Sequence, residues 1–112
     1  MKIYHNPRCR KSRETLAIIE EKGINPEIIL YLEDVPTQKE LKEIITLLKI
    51  KPAELLRKSE SAYKEFIKGK ELNDQQLIKY MVSHPKLIER PIVIKNKKAI
   101  IGRPPEKVLE LI

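Results

Sequence analysis

The sequence predicts an α/β fold, and three observations carry that expectation. The chain opens with a strand–helix–strand pattern, closes with two apolar triplets and a final helix, and shows only helical periodicity between them. The order β-α-β, helices, β-β-α fits a four-stranded mixed sheet with flanking helices and a helical insertion at about 37–84. A chain of 112 residues is expected to form a single domain over 1–112, large enough for one core but not for two.

Each element has its own signal. MKIYH (1–5) reads as a short buried strand, which Asn6-Pro7 breaks. A helix follows over 10–22, with Leu16, Ile18 and Ile19 inward and Gly23 as its stop. The run 28–32 (IILYL) is a second strand, and the crossover through the helix favours parallel pairing. Thr37-Gln38-Lys39-Glu40 is a capping box, and Leu41, Ile44, Ile45 and Leu48 follow at i, i+3, i+4, i+7. Pro52 starts a helical turn through Leu55 and Leu56, and SAYKEF reads as helical too. A further helix begins at Asn73-Asp74-Gln75-Gln76, carries Leu77, Ile78 and Met81, and ends at Pro85. IVIKNKKAII reads as a β-hairpin, although Asn96-Lys97 lacks the usual glycine. Pro104-Pro105 then opens a final helix, expected to turn Val108, Leu109 and Ile112 inward.

The bulk composition narrows the function classes. The net charge is +7, but the lysines are dispersed through helices and mixed with glutamate, as in LKEIITLLK. Aromatics make up only 4% of residues, which leaves little for stacking on bases and argues against nucleic acid as a partner. Apolar runs are short and interrupted, so no membrane span is expected. No signal-peptide pattern precedes the first strand, and the single cysteine allows neither an internal disulfide nor a cysteine-based metal site. The expected location is the cytoplasm, where thiols stay reduced, and no bound cofactor or metal is expected.

Against that background the stretch YHNPRCRKSR stands out. Cys9 lies among Arg8, Arg10, Lys11 and Arg13, at or just before a helix N-terminus. Free backbone N–H groups, the positive end of the helix dipole and nearby guanidinium groups all favour thiolate over thiol. Cations in the first turn of a helix are individually unfavourable, by roughly 0.3–1 kcal/mol each when exposed. A bound anion or a thiolate offsets that cost. Surface charge here is supplied by 17 lysines, whereas there are only six arginines: Arg8, Arg10, Arg13, Arg57, Arg90 and Arg103. Arginine therefore looks reserved for sites that need its rigid fork of donors.

Ser12 stands where a Cys-x-x-Cys motif would hold its second thiol, so the site is monothiol. Reduction of a two-electron substrate consumes two thiols, and the second must come from another molecule. His5, four residues before Cys9, either orients or deprotonates a group in the pocket or simply bonds to backbone at a strand end. Pro91 directly precedes a strand and is a candidate for a cis bond after Arg90.

YHNPRCRKSRETL resembles the active-site segment of the glutaredoxin-coupled arsenate reductases, and LLRKSE, RPIVI and GRPPEKVL resemble that family's later motifs, in order from residue 1 to about 111. The resemblance implies a thioredoxin-like fold with a helical insertion. It implies that Cys9 is the nucleophile, that His5 assists the thiolate, that Ser12 is the motif serine, and that Arg57, Arg90 and Arg103 bind the oxyanion. Pro91 matches the cis-proline of the fold. Glutathione is the implied co-substrate and glutaredoxin the implied partner. Arg10 stands where small residues are usual in the family, either crowding the arsenate pocket or adding a donor to it. Two alternatives keep the fold: a glutathione-dependent thiol–disulfide oxidoreductase without arsenate activity, and a non-enzymatic regulator of the Spx type that contacts RNA polymerase. Ser12 removes the internal disulfide switch on which such regulators typically rely.

Overall fold

Four short strands form one mixed sheet in the computed structural model, which describes residues 1–112. They are β1 (Lys2–Tyr4), β2 (Glu27–Ile29), β3 (Ile92–Lys95) and β4 (Lys98–Ile101), in the spatial order β2-β1-β3-β4. β1 pairs parallel to β2 and antiparallel to β3, and β3 pairs antiparallel to β4. The parallel pair is joined by helix α1 (Arg10–Glu21), as a strand–helix–strand crossover requires.

Two compact units make up the chain, one from Met1–Asp34 with Arg90–Ile112 and the other from Val35–Glu89. The first holds the whole sheet. Its core is Ile3, Ile19, Val93 and Val108, all fully buried, with Leu16, Ile18, Ile24, Ile100 and Leu111 packed around them. Burying each such branched side chain contributes roughly 1.5–3 kcal/mol before conformational entropy is set against it. Ile3 pairs with Val93 in register, so one sheet face receives both α1 and the C-terminal segment.

Three local expectations are revised. The second strand is Glu27–Ile29 and not 28–32; the chain leaves it at Leu30, whose carbonyl accepts turn bonds from Glu33 and Asp34. The fully buried face of α1 is Ser12, Thr15 and Ile19, so its first half turns polar side chains inward, while Leu16 and Ile18 are only partly covered. The last helix, Pro105–Leu111, is a 3-10 helix. Three residues per turn place Pro105, Val108 and Leu111 on one side, and Leu109 and Ile112 stay exposed where an α-helix would have turned them in. The hairpin forms without glycine because Asn96 takes the left-handed conformation at φ 57°, which asparagine tolerates.

The second unit is helical, with α2 (Gln38–Leu48), α3 (Ser61–Phe66), α4 (Asp74–Ser83) and 3-10 turns at Pro52–Leu55 and Pro85–Leu87. The expected insertion at 37–84 lies inside it. Leu41, Ile44, Ile45, Leu77, Ile78 and Met81 on α2 and α4 are buried, and both helices begin with complete capping boxes, Thr37 with Glu40 and Asn73 with Gln76. His84 caps the end of α4 and stacks on Phe66 at 4.6 Å. No helix in the chain is long and apolar enough to cross a membrane.

Candidate active site

Cys9 is the N-cap residue of α1. It follows a turn that the sequence builds from Asn6-Pro7. The Asn6 side-chain oxygen accepts the Arg8 N–H at 3.0 Å, and the Asn6 carbonyl accepts the Cys9 N–H at 2.9 Å. These are the local bonds by which asparagine replaces helix or strand pairing with a turn. The Arg13 guanidinium ties the same loop from outside by donating to the Pro7 carbonyl at 2.9 Å. Asn6 is buried, and neither composition nor motif spacing had marked it as part of the site. The signal available was its position between a strand and a helix, where Asx turns are common.

Cys9 is 9% exposed, and its surroundings are cationic. Arg103 donates from Nη2 to Sγ at 3.7 Å. Burial pushes the thiol up, but the Ser12 backbone N–H, a hydrogen bond from Arg90 and the charges of Arg90 and Arg103 outweigh it, leaving the thiol below its ordinary range. The Ser12 N–H in the first turn of α1 and the two arginines thus favour the thiolate form of the sulfur at this N-cap. No side-chain oxygen caps this helix, and no acidic residue lies in its first turn.

Behind the thiol lies a small buried network. His5 Nδ1 and Ser12 Oγ are 2.6 Å apart, and the Asn6 N–H donates to Ser12 Oγ at 3.1 Å. Burial, reinforced by the Arg13 charge, lowers the His5 imidazole and holds it neutral, only partly opposed by Glu20. His5 Nδ1 thus faces Ser12, and the His5 backbone N–H donates to the Ile29 carbonyl at 2.8 Å.

Arg90 and Arg103 come from opposite ends of the β3–β4 hairpin. The bonds Arg90–Pro91 and Arg103–Pro104 are both cis. Arg103 Nε donates to the Arg90 carbonyl at 2.8 Å, so one guanidinium bridges the Arg90 backbone and the Cys9 sulfur. The structure thereby brings Cys9, Ser12, His5, Arg90, Pro91 and Arg103 together in the first unit. Arg57 belongs to the second unit, where it lies 3.8 Å from Glu60 and 3.7 Å from Glu89. Arg10 does not join the site. Its side chain is 85% exposed and pairs with Glu14 one turn along α1, at 2.8 Å. Without a bound oxyanion its partner is this i, i+4 carboxylate on the same helix.

A lone cysteine with a lowered thiol at a helix N-terminus, beside two arginines and a cis-proline on a mixed four-stranded sheet, is the arrangement of a thioredoxin-like fold. Residues 4–111 match the ArsC family, and the chain belongs to that family. It is 50% identical over 114 residues to the uncharacterized protein YfgD of Escherichia coli K12, covering 100% of this chain and 96% of the relative. It is 47% identical to an arsenate reductase of Haemophilus influenzae, covering 98% and 97% of the two chains. Among solved structures, an arsenate reductase from Vibrio cholerae superposes with a TM-score of 0.96 at 50% identity, covering 99% of this chain and 96% of that one.

Proposed function

We propose that the protein reduces arsenate to arsenite with Cys9 as nucleophile and an external thiol as second reductant. The observation that carries this reading is the Arg103 fork, which meets the Cys9 sulfur and the Arg90 backbone at once. A thiolate and donors for a tetrahedral oxyanion then stand at the same helix N-terminus. The family and its named arsenate reductases support the same substrate. The family resemblance gives Arg57 an oxyanion-binding role as well, and Glu60 and Glu89 lie beside its guanidinium.

The chemistry follows from having one thiol. Cys9 attacks arsenic, a sulfur–arsenic bond forms and water leaves, with arsenic still pentavalent. Arg90 and Arg103 hold the oxyanion charge during this step. A glutathione thiolate next attacks Cys9 Sγ. The sulfur–sulfur bond forms, the sulfur–arsenic bond breaks, and its electron pair stays on arsenic, releasing arsenite. Two thiols have become one mixed disulfide, matching the two electrons gained by arsenic. Glutaredoxin is the proposed agent that clears the disulfide, and the cytoplasm, where glutathione is reduced, is the proposed location.

The test is a coupled assay with arsenate, glutathione, glutaredoxin, glutathione reductase and NADPH. Arsenate-dependent NADPH consumption is expected, and Cys9→Ser abolishes it. Consumption that is indifferent to arsenate but lost in Cys9→Ser overturns the substrate and leaves a thiol–disulfide oxidoreductase.

A further inference from the structure

Gly102 sits directly before Arg103 and is buried, yet unlike Gly23 and Gly69 it does not adopt a positive φ. Its reason for being glycine is space. A Cβ built there would lie 2.6 Å from Thr15 Oγ1, 2.8 Å from Pro91 Cγ and 3.0 Å from Thr15 Cγ2. The backbone of the segment carrying Arg103 is thus pressed against helix α1, which carries Cys9, and against the proline that follows Arg90. Gly102 N–H donates to the Pro91 carbonyl at 2.9 Å, closing the same contact from the other side.

Thr15 is the opposing surface. It is fully buried on α1, nearly two turns beyond Cys9, and its hydroxyl donates to the Lys11 carbonyl at 2.8 Å. The Gly102 carbonyl lies 3.5 Å from the same oxygen. With its one proton committed to Lys11, Thr15 meets Gly102 by shape and not through a strong hydrogen bond.

We propose that Gly102 and Thr15 are positioning residues, whose direct contact sets where the Arg103 guanidinium stands against the Cys9 sulfur. The next residue reaches both the Arg90 carbonyl and Sγ, and Sγ is already at 3.7 Å. A methyl at Gly102 would meet two atoms below 3.0 Å, so the contact must give, and movement of this backbone away from α1 takes Arg103 out of range. This inference takes from the proposed function only that Cys9 is the reacting group. Its test uses no arsenate, so the two readings fail separately.

The experiment measures the thiolate titration of Cys9 by absorbance at about 240 nm and its alkylation by iodoacetamide at pH 7. Gly102→Ala is expected to move the thiol titration to higher pH and to slow alkylation about three- to tenfold, as a smaller thiolate fraction dictates. Adding Thr15→Ala removes two of the three crowding atoms and restores most of the loss. In an Arg103→Ala background Gly102→Ala has no further effect on the thiol. If Gly102→Ala does not fold, Thr15→Ile presses the same contact from the helix side and must shift the titration in the same direction. A folded Gly102→Ala or Thr15→Ile protein with a wild-type thiol overturns the proposal. So does a Gly102→Ala effect that persists undiminished without Arg103.

Discussion

Helices α1 and α2 begin in opposite ways. At α2, Thr37 accepts the Glu40 N–H at 3.1 Å, the Glu40 side chain returns the bond to the Thr37 N–H at 3.1 Å, and an acid lies in the first turn. α4 repeats the design with Asn73, Gln76 and Asp74. At α1 the cap is Cys9, with no side-chain cap bond, no first-turn acid, and Arg10, Lys11 and Arg13 following. The capped helices satisfy their own termini. In the proposed function, the donors and dipole that α1 leaves unused serve a thiolate and an incoming anion, at a cost in local stability. A helix start that breaks the capping rules at a cysteine marks a candidate site more sharply than the cysteine alone.

The largest expected effect comes from making α1 resemble its neighbours. Cys9 already has extended N-cap geometry (φ −93°, ψ 121°), so Cys9→Asp supplies the missing cap oxygen. Turnover should vanish while chemical denaturation shows a gain of about 0.5–1 kcal/mol. A protein less stable than wild type would break the comparison. The converse change, Thr37→Ala, should destabilise by about 1 kcal/mol and leave both the Cys9 titration and its alkylation rate unchanged. A shifted thiol would show that the two helix starts are not independent.

The smallest effect concerns His5. Its folded imidazole is lowered by burial and by Arg13, so the unfolded chain binds its proton first. Stability from the neutral His5 is complete above the unfolded value of about 6.5 and is lost as pH falls through the lowered folded value. His5→Gln should flatten the decline in urea midpoint between about pH 7.5 and 5.5. An unchanged slope would remove His5 from the acid response and place the titration elsewhere.

Much of this was legible in the sequence because it is local. The capping boxes are spelled in four consecutive residues, and Gly23 and Pro85 end helices for reasons confined to their own φ or missing N–H. Cys9 at a helix N-terminus followed from Asn6-Pro7 and the periodicity after it. The scarcity of arginine drew attention to Arg90 and Arg103. Sequence position gives the distance of Arg10 from Cys9 along the chain but not the rotamer that takes it to Glu14.

What the sequence by itself determined, then, was the order of elements, the capped helix starts at Thr37 and Asn73, and a thiol set among cations. Tertiary structure alone decided which cations reach that thiol. Arg103 meets Cys9 across 94 positions, and Gly102 meets Thr15 across 87. No periodicity or cap spans such separations. They arise because β1 and β3 pair side by side in the sheet, so both loops end at the same helix N-terminus. The final 3-10 helix belongs to the same class: its sequence allows either period, and packing against Ile3, Ile19 and Val93 selected three residues per turn.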